Sequence, residues 1–208
     1  MINWLKSEWH LLTKNYCNST LAESLWAEIE SQYIIKNRHY HNLSHIFNML
    51  KQLDETKTEI KDLDSLKFAI WYHDIIYKST NKDNEEKSAL FALNGLKKID
   101  FNLKRTQNVQ ELILSTKKHT IFKTQNNDNA VLLDLDLSIL GTDWNTYKKY
   151  ISNIRKEYKI YPNFMYNPGR KKVLNHFLER ETLYFTEHYK KQYEAQARDN
   201  LNREIKLL

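Results

Sequence analysis

The sequence predicts an all-α chain, and three observations carry that expectation. Three glycines and two prolines in 208 residues leave few tight turns, while leucine, lysine, glutamate and asparagine are plentiful. Apolar residues recur at three- and four-residue spacing over most of the length. The longest polar interruptions, KSTNKDNEEK at 78–87 and KTQNNDN at 123–129, are short enough to be loops within one domain.

In chain order, helices are expected over about 2–16, 19–35, 41–55, 59–77, 84–99, 106–120, 143–160, 170–189 and 191–207. Asn84 or Asp83 suits an N-cap, with Glu86 or Glu85 close behind. LDLDLSI at 133–139 alternates strictly, as a half-buried strand would, but its leucines and scarce β-branched residues favour helix. NPGR at 167–170 is expected to break the chain before the last long helices.

Charged residues make up 28% of the chain and the balance is +6, compatible with an anionic partner but more often a solvated lysine-rich surface. The single cysteine, Cys17, permits neither an internal disulfide nor a cysteine-based zinc site, which suits a reducing compartment. MINWLKSEWHLL lacks the basic start and continuous apolar run of a signal peptide. No window approaches the roughly 20 apolar residues that cross a bilayer. A soluble, cytoplasmic protein with no membrane partner is expected.

Chemistry is first legible in AIWYHDIIY at 69–77, where His73 and Asp74 sit inside an apolar run. Burying a carboxylate costs several kcal/mol or more unless a cation or strong hydrogen bonds compensate. In a helix over 59–77, Leu66, Ile70, His73 and Tyr77 share a face, with Asp74 about 100° around. Upstream, RHYHNLSHIFNML at 38–50 sets His41 and His45 four apart. The zinc-protease motif needs Glu after its first histidine; here Asn42 stands there, so that reading fails, although the imidazoles still suit Zn, Fe, Mn or Ni. Downstream, helical phase places Asp136 with Leu132, Leu133, Ile139 and Leu140, where it would be buried. The same phase sets Asp134 on a smaller, shallower face, as a group that orients a neighbour.

His, then His-Asp, then Asp, spread over a helical chain, is similar to the HD superfamily of metal-dependent phosphohydrolases. RHYHNLSHI, WYHDIIY, STKKHT, LDLDLSILG, IRKEY, PGRKKVL and ARDNL together resemble the predicted HD phosphohydrolase family, over nearly the whole chain. The resemblance implies an HD-domain-like helical bundle with extra C-terminal helices. It would be one domain over 1–208, with its core at about 20–160 and helices at about 170–207 packed on it. It makes His45, His73, Asp74 and Asp136 the metal ligands, with Asp134 as the alternative to Asp136. Asp74 would also act as general base.

His41 and His119 are candidates for a further metal or substrate contact. Because His119 alone lies between the pair and the last aspartate, a full two-metal site and a di-iron oxygenase are not expected. Arg38, Lys117, Lys118, Arg155 and Arg170 are the candidate phosphate-binding residues. The cofactor implied is a divalent ion: mixed N and O ligation suits Mn, Fe, Co, Ni or Zn better than Mg. The substrate implied is a nucleotide or small phosphorylated metabolite. A non-catalytic nucleotide-sensing HD module is the alternative, ahead of a basic RNA-binding protein. Trp26, Phe68 and Tyr72 sit at helical core positions rather than on a base-stacking sheet. Glycines are too few for a phosphate-cradling loop, which excludes nucleotide triphosphate motors.

Overall fold

The computed structural model describes residues 1–56, 60–122 and 127–208. Within them the chain is all-α, with ten α-helices and no strand. They are α1 (Ile2–Thr13), α2 (Ser19–Tyr33), α3 (Leu43–Thr56), α4 (Leu63–Tyr72), α5 (Asn84–Lys98), α6 (Leu103–Thr116), α7 (Asp128–Leu137), α8 (Trp144–Glu157), α9 (Asn163–Leu178) and α10 (Glu187–Leu207). A 3-10 turn, Ser138–Gly141, follows α7. Among the described residues no helix is long and apolar enough to cross a membrane. The residues form two compact units, Met1–Leu132 and Leu133–Leu208, and the division falls inside α7.

In the first unit α4 is the central element, because its second half is almost wholly apolar. Leu66, Phe68, Ala69, Ile70, Trp71 and Tyr72 are all buried, which leaves Asp64 and Lys67 toward its start partly open to water. Asp62 caps it by accepting the Ser65 amide at 3.1 Å. Helices α3, α5 and α6 pack against it. Trp9 of α1 and Trp26 of α2 meet Trp71 edge to face at 5.7 and 5.9 Å, contacts worth about 0.5–1.5 kcal/mol each beyond burial. At Gly95 a Cβ would stand 2.6 Å from Tyr72 Oη, so the close approach of α4 and α5 depends on that glycine.

In the second unit α10 touches the 3-10 turn, α8 and α9. Asn200 donates to the carbonyls of Leu140 and Thr142, both at 2.8 Å, and so fixes the end of the 3-10 turn. A Cβ at Gly141 would lie 2.8 Å from the Tyr193 carbonyl oxygen, so only glycine fits against the α10 backbone. Arg170 meets the buried Glu204 through Nε and Nη2 at 2.7 and 3.1 Å, and Tyr147 donates to the same carboxylate.

Several boundaries differ from expectation. NPGR does not break the chain: Pro168 and Gly169 lie inside α9, which begins at Asn163. Proline removes one amide bond to the Phe164 carbonyl, and Phe164 is 78% exposed, so water can take that carbonyl. The break comes later, at 179–186, between α9 and α10, rather than within 190. The alternating LDLDLSI is helical, continuing from α7 into the 3-10 turn. Asp83 is the N-cap residue of α5, but its carboxylate bonds Lys87 at 3.0 Å instead of capping. Residue 59, the start expected for the fourth helix, and 123–126 of the expected loop lie outside the described residues. That loop also ends sooner, since Asp128 and Asn129 already belong to α7.

Candidate metal centre

The centre is built on the C-terminus of α4, where four carbonyls need partners from outside the helix ladder. Each finds one. The Ala69 carbonyl accepts the His73 amide at 2.9 Å, Ile70 the His73 ring Nδ1 at 2.9 Å, Trp71 the Tyr33 hydroxyl at 3.0 Å and Tyr72 the Ile75 amide at 3.1 Å. The chain then turns, so Tyr77 lies beyond the helix and does not continue the face of Leu66, Ile70 and His73 as expected. Asn84 and Ser88 of α5 bond the backbone of Lys78 and Ile76, which pins the segment after the pair.

The bond from His73 Nδ1 to a carbonyl fixes the ring's protonation. A carbonyl only accepts, so Nδ1 carries hydrogen and a neutral ring presents a lone pair at Nε2. Onto that Nε2 converge His45 Nε2 at 3.2 Å and Asp74 Oδ2 at 3.1 Å, while His45 Nε2 and Asp74 Oδ2 are 3.9 Å apart. His45 is placed by the first turn of α3, whose start Asn42 secures by accepting the Ser44 amide at 2.8 Å. His45 and His73 are 4% and 1% exposed, and Asp74 15%.

His45, His73 and Asp136 each offer one ligand atom, and the three atoms lie within 4.8 Å of one another. The first residue of α7, the fully buried Asp128, accepts the amides of Lys61 and Asp62 at 2.7 and 3.0 Å. That clamp joins the start of α7 to the start of α4.

Burial of the two aspartates is the reverse of expectation. Asp134 is fully buried and Asp136 partly exposed. Asp134 accepts the Phe185 and Thr186 amides, both at 2.8 Å, at the start of α10. Burial pushes its carboxyl up to about 6, although the two amides favour the charged form. Helical phase misled because both faces of α7 are covered, as the burial of Val131, Leu132, Leu133 and Leu135 shows. Near the pair stands Glu85 of α5, half-buried, its carboxyl raised first by burial and further by the Asp74 charge.

The other candidates are engaged differently. His41 precedes α3 instead of sharing its face with His45, and its ring stacks on Tyr77 at 4.0 Å, 6.3 Å from the His45 ring. His119 lies just past the end of α6 in the left-handed region, φ 46°, where the His119 and Thr120 amides bond the carbonyls of Thr116 and Ser115. Lys117 pairs with Glu86 and donates to the Lys82 carbonyl at 2.8 Å; Lys118 is exposed. Arg38 is buried and donates to three carbonyls. Arg155 donates to the Tyr158 and Tyr161 carbonyls and to Asn163, and Arg170 is held by Glu204.

Sequence reasoning passed over Asp128, Tyr33 and Ser88, and read Asn84 only as an N-cap candidate, whereas its side chain bonds the Lys78 backbone. Only the pairing of small polar residues with a short, buried helix end could have pointed to them. No protein-family model matches the chain, and neither a curated protein nor a solved structure matches it. The molecule's own geometry defines the class: an all-α chain with a His-His-Asp group that could hold a metal ion.

Proposed function

We propose that the chain is a metal-dependent phosphohydrolase of HD type, acting on a nucleotide or small phosphorylated metabolite. One observation carries the reading: His45 Nε2 and Asp74 Oδ2 both approach the lone-pair side of His73, at 3.2 and 3.1 Å. The His73 Nε2 lone pair and the Asp74 carboxylate are both acceptors, 3.1 Å apart in a largely buried site, and such a contact favours a cation. The donor set fits one. Neighbouring ligand atoms around a first-row ion with bonds of about 2.1 Å stand roughly 3.0–3.4 Å apart, the spacing of the two contacts to His73, while His45 Nε2 and Asp74 Oδ2 are 3.9 Å apart.

His45, His73, Asp74 and Asp136 would hold the ion, with His73 oriented through Nδ1 by the Ile70 carbonyl. Bound there, a divalent ion supplies Lewis acidity toward a phosphoryl oxygen and makes water acidic near neutral pH. Asp74, the most exposed of the three convergent groups, takes the proton of the attacking water. The buried His45 and His73 exclude bulk water from that step. Cys17 as the one cysteine fits a cytoplasmic setting.

The test is turnover. Protein loaded in turn with Mn, Fe, Co, Ni, Zn and Mg is offered a panel of nucleotides, sugar phosphates and a generic phosphate ester. Hydrolysis is expected, with loss by orders of magnitude in His73→Ala and Asp74→Ala. If folded, metal-replete protein turns over none of them, the reading as a nucleotide-sensing module takes precedence.

A further inference from the structure

Arg38 is a cation in an unusual place. It is 7% exposed, and what it meets is carbonyl oxygen. Nη1 donates to the carbonyls of Asp74 at 2.6 Å and His41 at 3.2 Å, and Nη2 donates to the carbonyl of Ile75 at 2.6 Å. The guanidinium carbon lies 5.0 Å from the Tyr33 ring and 5.9 Å from the Tyr77 ring. Nε is closed off from solvent. Two aromatic faces and three carbonyls replace the hydration shell, and the position just past the C-terminus of α4 favours positive charge.

We infer that Arg38 is a positioning residue of the His73–Asp74 turn, not a contact to phosphate. Its fork ties the peptides of Asp74 and Ile75 to the segment that carries His41 into α3, so one side chain sets the spacing between the two strands of backbone bearing His45 and Asp74. Three of its five N–H groups are committed to that fork, and a fourth, on Nε, is out of reach of a ligand. A lysine cannot reproduce the fork, because one ammonium cannot sit in line with both peptides. The inference rests on the reading of His45, His73 and Asp74 as metal ligands, and its test separates the two.

The full chain is titrated with cobalt(II), with affinity read by competition with a chelator and geometry by the ligand-field absorption of the bound ion. Arg38→Lys and Arg38→Met are expected to fold, by far-UV circular dichroism, to bind cobalt at least about tenfold more weakly, and to show altered bands. Folded variants with the affinity and bands of the unaltered chain overturn the inference. If the unaltered chain binds no cobalt, the metal-centre reading is lost. The inference is then decided on metal-free protein, where the ring nitrogen-15 signals of His73 must change in the Arg38 variants; unchanged signals overturn it. If neither variant folds, the side-chain nitrogen-15 signals of Arg38 in the unaltered chain decide. Inorganic phosphate leaves them in place if the guanidinium is committed to the turn, and a phosphate-induced shift overturns the inference.

Discussion

The Nε2 atoms of His45 and His73 face each other across 3.2 Å, with His73 Nδ1 already committed to the Ile70 carbonyl. A His45 N–H could fill the gap between the rings, but the Asp74 carboxylate would then meet a lone pair on His73 at 3.1 Å. A divalent ion resolves both contacts at once. Adding zinc, manganese or cobalt at 100 times its dissociation constant is therefore expected to stabilise the fold by about 2.7 kcal/mol. Urea unfolding with and without a chelator measures this. In His45→Ala and His73→Ala the metal-induced gain should vanish; a gain that persists in both would place the ion elsewhere.

Asp136 and Asp134 should fail in different ways. Asp136→Ala is expected to lose metal while keeping most of its stability, since the side chain is partly exposed. Asp134→Ala leaves the Phe185 and Thr186 amides without their acceptor and should cost about 1–3 kcal/mol, with metal still retained. Elemental analysis and urea unfolding of both purified variants separate the two roles. Metal loss confined to Asp134→Ala would reverse them.

Asp128 should matter to the centre without touching it. Asp128→Ala strips the acceptor from the Lys61 and Asp62 amides, a loss of about 1–3 kcal/mol. Because the same clamp sets where α7 starts, zinc affinity is expected to fall by about tenfold as well. Chelator competition on the folded variant checks the second effect; unchanged affinity would mean that α7 is placed by packing alone.

Arg170 should behave as a structural cation. Removing it leaves Glu204, 1% exposed, without its guanidinium, and breaking such a buried pair costs about 3–5 kcal/mol. Arg170→Ala is thus expected to lower the unfolding midpoint sharply. A variant of unchanged stability but raised KM would restore the phosphate-binding role that the sequence suggested.

Acid stability should register the Asp62–Arg105 pair. Burial works to raise the Asp62 carboxyl, but hydrogen bonds from Arg105 and Ser65 outweigh it and hold the group below its ordinary value. A carboxyl lowered by folding contributes stability that is fully present above its unfolded value of about 3.9 and is lost as pH falls through the folded value. Both partners are partly exposed, which limits the contribution to under about 1 kcal/mol. The difference between the unaltered chain and Arg105→Gln in urea midpoint is expected to be constant near neutral pH and to shrink below about pH 4.

What the sequence determined by itself was local: helices, and the residue types able to hold an ion. Scarce glycine and proline, together with apolar spacing, favour helix through LDLDLSI; NPGR read as a break, yet α9 runs through it because water can take the one carbonyl that Pro168 frees. His73 and Asp74 stand out for a physical reason of the same kind, since an imidazole or carboxylate inside an apolar run needs compensation wherever it lies. Periodicity is blind to what covers each helix face, so it set Asp134 in the shallows and Asp136 in the core, the reverse of what is found. Charge is equally blind to partners. Arg38, Arg155 and Arg170 read as anion contacts, yet each guanidinium is taken up by carbonyls, an amide or a buried carboxylate. Only tertiary structure could settle those roles, because a donor's role depends on the acceptor within 3 Å of it, and residues as far apart in the chain as Arg38 and Asp74 become neighbours only when the chain folds.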